Sequence, residues 1–530
     1  MIGKKVVIRR HPEWREHQLR WRWLLDSLEG GERYRQAIYG YDTRGLPIRN
    51  LIRHKREYPD PRDMIDTGIG FLGPIIEDSN AYPNSSREIG EGYHRDPAAL
   101  ASDDDYELRR ARTPVPTFVA ETLDTHLSRI YAREVKRGGP EDLVAWWRDV
   151  DGRGTTIDQW MIETLAPLLL LLGQIDVLMD HPAAPEGEDV ETRADMLRLG
   201  LDRCIASCIL PENMLWWRLD PHDRRYLECL VRENHQVDDR SKVYYRLWTA
   251  DEWTLYNEEG EVVAAAAHPF RRVPIIRLFD GRKPRCRNIG QSRYESIAER
   301  QREYYNRDSE LILSDTTQAH PLLQGPEDFV QADGTIPIGP SWLLPKKKNS
   351  QGGTVSYEGF DVVDFPKDAA ESIRKNKADI RDDVDRDSAL VKSTGREGVA
   401  QSGLSKMLDF SDGNNRLAKI AKVLAKAEVL LAELARWVCS DGAVDLNDNV
   451  EIVVVYPAEF DLYTAADVAA ATGEFQKIVA AAGSLPKTEW QLLTRLVRLS
   501  LPGLGDAQYT ECDEEIAQYL EARSQPALDR

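Results

Sequence analysis

Apolar positions along this chain recur with two different periods, and the places where the period changes mark its elements. Within residues 11–42, Trp14, Trp21 and Leu25 recur at spacings of seven and four, which is one face of a helix. Trp23 lies off that face and implies a second contact surface. Residues 42–114 carry turn after turn, in PDPRD, Gly73-Pro74 and SNAYPNSSREIGEGYHRDP. From Thr113 to about Gln174 the helical period returns. Thr117, Phe118 and Val119 follow two prolines at a helix start, and Leu123, Leu127, Ile130 and Tyr131 continue the stripe. Thr155 or Thr156 is placed to cap the next helix, with Trp160, Leu165 and Leu169 inside it. Cys204 and Cys208 fall at i, i+4 of a stretch read as helical. Over residues 210–280 the period drops to two. VYYRLWTADEWTLYNEEGEVVAAAAH alternates around turn signals at Asn257 and Gly260 and predicts a β-hairpin or small sheet, and RRVPIIRLFDG adds a strand.

The second half has a distinct order. Residues 288–316 predict a helix in which Ile297, Tyr304 (with Tyr305) and Leu311 step by seven, flanked by Tyr294 and Gln301. Pro321 to Pro366 predicts a small extended module. It holds Leu322-Leu323, the turn Ala332-Asp333-Gly334, the strand-like Ile336–Gly339, the basic run Lys346-Lys347-Lys348, a loop over Asn349–Gly353 and a strand over Thr354–Val363. Residues 367–391 predict a second charged helix whose apolar stripe, Ile373, Ile380, Val384 and Val391, is too thin for it to bury itself alone. A polar break, KSTGREGVAQSG, precedes a long helix to about Cys439, with Gly413-Asn414-Asn415 expected to interrupt or kink it. VEIVVV near residue 450 is a strand, and small-residue helices follow. Together these segments predict an α+β chain, mainly helical.

Composition narrows the function. The chain has 530 residues, which at roughly 100–200 per domain is about three to five units. It is 42% hydrophobic and 30% charged, which permits a sizeable core and excludes wholesale disorder. The net charge is −19, the opposite of what tight phosphate binding needs, so any DNA contact must be local or transient. The six cysteines form no CxxC pair, which suits buried, reduced thiols in a reducing compartment. The most apolar run, LAPLLLLLG, is far below the ~20 residues of a membrane span, and the basic start MIGKKVVIRRHPEW has no apolar run behind it, so neither membrane nor targeting segment is expected. There is no G-x-x-x-x-G-K-[ST] loop, no G-x-S-x-G elbow and no H-E-x-x-H helix. His11 and His17 are wrongly spaced to share a metal on one helix face. No catalytic residue, metal or cofactor is assigned.

Two helices bracketing a small module, neither with a core of its own, suggest a stalk with a tip. Here the chain resembles the portal proteins of tailed bacteriophages. The residues that carry the resemblance are SRYESIAERQREYYNRDSELI, the GTIPIGP segment, ESIRKNKADIRDDV and VAQSGLSKMLDFSDGNNRLAKIAKVLAKAE, with the opening HPEWREHQLRWRWLLDSLEGGERYR. The resemblance covers most of the chain and is most specific over 290–436, in the order of several moderate signals rather than in one motif. It implies a portal fold assembled as a ring, usually of twelve subunits, at one capsid vertex. Residues 1–287 would be the wing, 288–317 the first stem helix, 318–366 the clip, 367–391 the second stem helix and 392–402 the tunnel loop. Residues 403–463 would be the long kinked helix and wing strand, and 464–530 the helical crown. It further implies a channel for double-stranded DNA during packaging and ejection, touched transiently and without sequence preference. The implied partners are further copies of the chain, the terminase large subunit, head-completion or adaptor proteins, and the major capsid or scaffold protein. The expected location is the virion, with the host cytoplasm during assembly.

Within that resemblance, Lys375, Lys377, Arg381 and Arg386 are the candidate channel cations. The second stem helix carries six basic and seven acidic residues, so the alternative is that they pair with Asp379, Asp382 and Asp383 on the same or a neighbouring helix. Lys392, Ser393, Thr394, Arg396 and Glu397 would line the tunnel loop, with Gly395 and Gly398 letting its backbone move; without the resemblance this is an ordinary polar connection. Lys346, Lys347 and Lys348 are candidate clip contacts, or else a solvated turn. The competing function is a metal-dependent enzyme such as a nuclease using Asp103, Asp104 and Asp105 with other acids, but the sequence offers no second acidic cluster with obvious strand-end placement.

Overall fold

Among the described residues, three long helices and one antiparallel β-meander are the largest elements. The computed structural model describes residues 8–41, 47–49, 109–182, 203–237, 240–286, 288–319, 322–326, 343–346, 349–351, 354–356, 361–363, 368–388, 403–443, 451–457 and 506–524, with single positions elsewhere. In chain order the elements begin with α1 (Pro12–Glu29), α2 (Gly31–Gln36), β1 (Ile38–Tyr41), β2 (Pro47–Arg49), α3 (Phe118–Ile130), β3 (Lys136–Gly138) and α4 (Glu141–Arg148). Then α5 (Ile157–Trp160) and α6 (Ala166–Leu172) are joined by a π turn over Met161–Leu165. The strands β4 (Gln174–Asp180), β5 (Ile205–Ile209), β6 (Met214–Leu219), β7 (Tyr226–Val237), β8 (Arg240–Trp248), β9 (Glu252–Tyr256), β10 (Val262–Ala267) and β11 (Ile275–Phe279) follow. The remainder is α7 (Glu295–Ala319), β12 (Leu322–Pro326), β13 (Leu343–Lys346), β14 (Asn349–Gln351), β15 (Thr354–Ser356), β16 (Asp361–Val363), α8 (Asp368–Ser388), α9 (Gly403–Cys439), β17 (Val453–Val455) and α10 (Asp506–Ser524). This is a mixed, α+β composition.

Contacts group the chain into two units: Met1–Ile8, Thr122–Arg293 and Asp385–Arg530 in the first, Arg9–Glu121 and Tyr294–Val384 in the second. The expected block 1–287 thus contributes to both.

The two larger sheets described in the first unit are antiparallel, and a short antiparallel pair joins β17 to β3. Strands β6 to β10 run as a five-stranded meander in chain order, and β11, β4 and β5 form a separate three-stranded sheet with β4 in the middle. The meander is the small sheet, rather than the lone hairpin, of the two forms expected from sequence, and the RRVPIIRLFDG strand lies outside it, paired with β4. Cys208 lies in β5, not in a helix, paired with Val177. The i, i+4 reading fails because Ile205–Ile209 is a short strand whose alternation is hidden by small residues. β4 is buried on both faces, and α9 packs over β4 and β11 with Leu424, Leu431, Leu434 and Val438 almost wholly covered. The side chain of Thr156 caps α5, and Trp160, Leu165 and Leu169 are buried, as the pattern predicts. α9 runs unbroken through Gly413-Asn414-Asn415. The cost of about 1 kcal/mol for a helical glycine is outweighed by burial of Leu417, Ile420 and Leu424 just beyond it. At the end of α6, Gly173 is left-handed at φ 75°, and a side chain there would collide with the backbone of Gln291.

The second unit holds α1, α2, α7, most of α8 and the short strands between them. Trp14 and Trp21 are buried as expected, but so is Trp23, while Leu25 is only half-covered. The second contact surface of α1 is therefore occupied. Beyond the end of α7 at Ala319, the described residues of the 318–366 module are all in short strands. β12 pairs in parallel with β13 and antiparallel with β16, and β14 pairs with β15. Asn349–Gln351, expected as loop, is one arm of a hairpin whose arms are separated by Gly352-Gly353, a strong two-residue hairpin signal. The expected single strand Thr354–Val363 is divided between β15 and β16, which pair with different partners. Ile336–Gly339 lies outside the described residues.

Candidate nucleic-acid interface

The charged helices α7 and α8 define the candidate site. Ion pairs tie Arg374 to Asp315 at 2.7 Å, Lys377 to Asp308, and Asp383 to Arg300 at 3.2 Å. As the number rises along α8, the partner's number falls along α7, so the helices are antiparallel. The β12–β16 strands lie in sequence between the end of α7 and the start of α8, at one end of this pair.

Each helix has one buried line. In α7 it runs from Tyr294, just before the helix, through Ile297, Gln301, Tyr305 and Ser309, stepping by three to four rather than seven. Tyr305, not Tyr304, lies in it, and Leu311 is half-exposed. Its polar members are satisfied. Gln301 accepts from the Val119 amide and donates to the Ser27 carbonyl, both at 2.9 Å, and Ser309 accepts from the Arg109 guanidinium at 3.1 Å. In α8 the buried residues within this unit are Ala370, Ile380 and Val384. Ile373 is half-exposed and Val391 lies outside the described residues.

The candidate channel cations separate. Lys377 is largely covered: its ammonium pairs with Asp308 and sits 4.7 Å from the Tyr304 ring centroid. Its charge is thus paired within the chain, on the neighbouring helix. Lys375 and Arg381 are exposed and have no ion-pair partner among the described residues, and Arg386 is exposed as well. The exposed charges of α8 are Arg374, Lys375, Arg381 and Arg386 against Asp368, Glu371, Asp379 and Asp382, an even balance.

Where α8 ends, in the first unit, two side chains secure its last turn. His126 Nε2 lies 2.9 Å from the Ser388 carbonyl, and Arg416 donates to the Asp387 carbonyl. A carbonyl only accepts, so His126 carries its proton on Nε2. Burial, opposed by that bond and reinforced by Arg129, Arg416 and Arg293, lowers the His126 pKa to about 4, so the ring is neutral near pH 7. The tunnel-loop candidates Lys392, Ser393, Thr394, Arg396 and Glu397 lie just beyond, outside the described residues. So do Lys347 and Lys348, while Lys346 ends β13. Asp103, Asp104 and Asp105 also lie outside. Among the described residues no three His, Cys, Asp or Glu side chains converge as a metal site, and no helix is long and apolar enough to cross a membrane. His11, one of the two histidines weighed as ligands, accepts the Glu13 amide at the start of α1.

One basic feature is obscured in the sequence. Arg416, Lys419, Lys422 and Lys426 are all exposed along α9, on the side opposite the buried Leu417, Ile420, Leu424 and Leu431, and no exposed acid interrupts them. Its signal is the set of cations three and four apart in RLAKIAKVLAKAE, which the apolar content of the same segment masks.

No protein-family profile matches this chain, and no curated protein matches it. A solved structure described as "Neck of empty GTA particle computed with C6 symmetry" is similar over 72% of this chain and 90% of that one, at 13% identity and a TM-score of 0.31. At that score the likeness does not bear on fold or function.

Proposed function

We propose that this chain is a portal subunit, a structural assembly protein that forms a ring around a channel for double-stranded DNA. One observation carries the reading: the antiparallel pair α7–α8, with a strand module between the two helices in sequence and an outward face of balanced charge. A helix whose described side chains include only three buried ones between Asp368 and Val384 is under-covered for a free-standing protein, and side-by-side copies in a closed ring give it neighbours. Balanced charge suits a conduit, because tight phosphate binding would stall the moving duplex. In this reading α7 and α8 form the stem, residues 318–366 the clip that meets the packaging motor and adaptor proteins, and 392–402 the tunnel loop. Lys375, Arg381 and Arg386 make the weak, repeated phosphate contacts, and the chain itself performs no chemistry. The test is deletion of Gly395–Ala400. The expected result is a ring of unchanged mass that no longer supports DNA packaging. Normal packaging by the deleted protein would contradict the tunnel-loop role, and loss of the ring would make the segment structural.

A further inference from the structure

Three sulfur atoms meet in the first unit. Cys204 Sγ lies 3.7 Å from Met179 Sδ, at the edge of the β11–β4–β5 sheet, and within hydrogen-bond reach of the Cys439 thiol at the end of α9. The two cysteines are 235 residues apart in sequence. A second, independent contact fixes the same approach. His181 Nδ1 is 3.1 Å from the Arg203 carbonyl, next to Cys204, and its Nε2 is 3.2 Å from Asp441 Oδ1, two residues past Cys439. One imidazole therefore spans the two segments. Trp437, near the end of α9, packs on Phe270 with ring centroids 5.6 Å apart, and the Arg272 guanidinium lies 4.2 Å from the Trp437 ring centroid. The end of α9 is thus held by contacts that involve neither thiol, to His181 just past β4 and to the segment that leads into β11.

We propose that Cys204 and Cys439 form a redox-sensitive staple, reduced in a reducing compartment and closed to a disulfide by a small-molecule disulfide such as oxidised glutathione. The two thiols differ in access: Cys204 is buried and Cys439 is partly exposed at the helix end. Burial and the adjoining Cys439 thiol also hold the Cys204 pKa well above its ordinary value, which makes it the poorer first nucleophile. Cys439 therefore reacts first. It loses its proton and its thiolate attacks one sulfur of oxidised glutathione, expelling one glutathione thiolate and leaving a mixed disulfide. Cys204 then gives up its proton and attacks the Cys439 sulfur, expelling the second glutathione. Two protein thiols are oxidised by two electrons, one disulfide reagent is reduced to two thiols, and the bond joins the end of α9 to the sheet. Closure constrains a chain loop of more than two hundred residues, so the oxidised protein should melt higher. The staple does not depend on the portal reading.

The test uses the full-length chain. The reduced protein is incubated with oxidised glutathione, quenched with an alkylating agent, digested without reduction and mapped by mass spectrometry. The expected result is a peptide containing Cys204 joined to one containing Cys439, loss of two titratable thiols, and a melting temperature that falls again on reduction. Cys208→Ser should leave the cross-link intact, and Cys439→Ser should abolish it. A stable glutathione adduct on Cys439 with Cys204 still alkylatable, or Cys204 joined to another cysteine, overturns the proposal. Because mapping of the unmutated protein decides the pairing, misfolding of a variant cannot mask the answer.

Discussion

Arg137 and Glu428 form a largely buried ion pair in the first unit. Glu428 is fully buried and pairs with Arg137, which also reaches Asp158 at 2.8 Å, while the Tyr456 hydroxyl donates to Glu428 at 3.1 Å. Burial pushes the Glu428 pKa up, and the Arg137 and Tyr456 bonds oppose that. Removing one partner strands the other. Glu428→Ala should therefore destabilise the protein by about 3–5 kcal/mol, seen as a lower urea midpoint. A change under about 1 kcal/mol would show that Arg137 finds water or Asp158 sufficient. His126 gives the pH signature at this scale. Its pKa is lowered in the folded protein from 6.5 to about 4, so between those values the unfolded chain binds the extra proton. The contribution is complete above pH 6.5 and is lost as pH falls towards 4, on the order of 3 kcal/mol in total. His126→Gln should flatten this part of the melting-temperature profile between about pH 7 and pH 4.5. An unchanged slope in the variant would assign the acid sensitivity elsewhere.

At the scale of elements, α8 separates packing from surface charge. Ile380 is buried and Lys375 is exposed, five residues apart on one helix. Ile380→Asp places an unpaired carboxylate in the α8 seam and should cost several kcal/mol, whereas Lys375→Glu should stay within about 0.5 kcal/mol. Chemical denaturation of both variants checks this, and equal losses would mean that the exposed face is also packed. The same helices show what a sequence can reveal. α8 and the 37-residue α9 are legible because their periodicity is long, and the Thr156 cap because the threonine stands directly before the apolar repeat. The short strands are not. β5 alternates over five residues only, and the hairpin at Gly352-Gly353 is obscured by polar neighbours that read as loop. The fate of Lys377 is unreadable for a different reason. Its partner Asp308 is 69 residues away, and only the antiparallel pairing of two helices brings them together.

For the whole molecule, the order helix, strand module, helix, long helix is legible in the hydrophobic pattern alone, and it is the basis of the portal reading. The division into two units is not legible there, because residues 9–121 join 294–384 through side chains such as Gln301, whose two bonds reach Val119 and Ser27. A polar residue buried by distant backbone groups leaves no periodic trace. The approach of Cys204 to Cys439 is hidden in the same way. What the pattern does convey at this scale is a shortage: the apolar stripe of α8 is thin, and among its described side chains few are buried. That shortage makes assembly the central claim, and mass measurement with imaging of the purified full-length chain tests it most directly. The account predicts a closed ring with a central hole and a mass that is an integer multiple of 60.3 kDa, twelve-fold in the family it resembles. A chain that stays a 60.3 kDa monomer or small open oligomer at every concentration, including beside its capsid proteins, would contradict it.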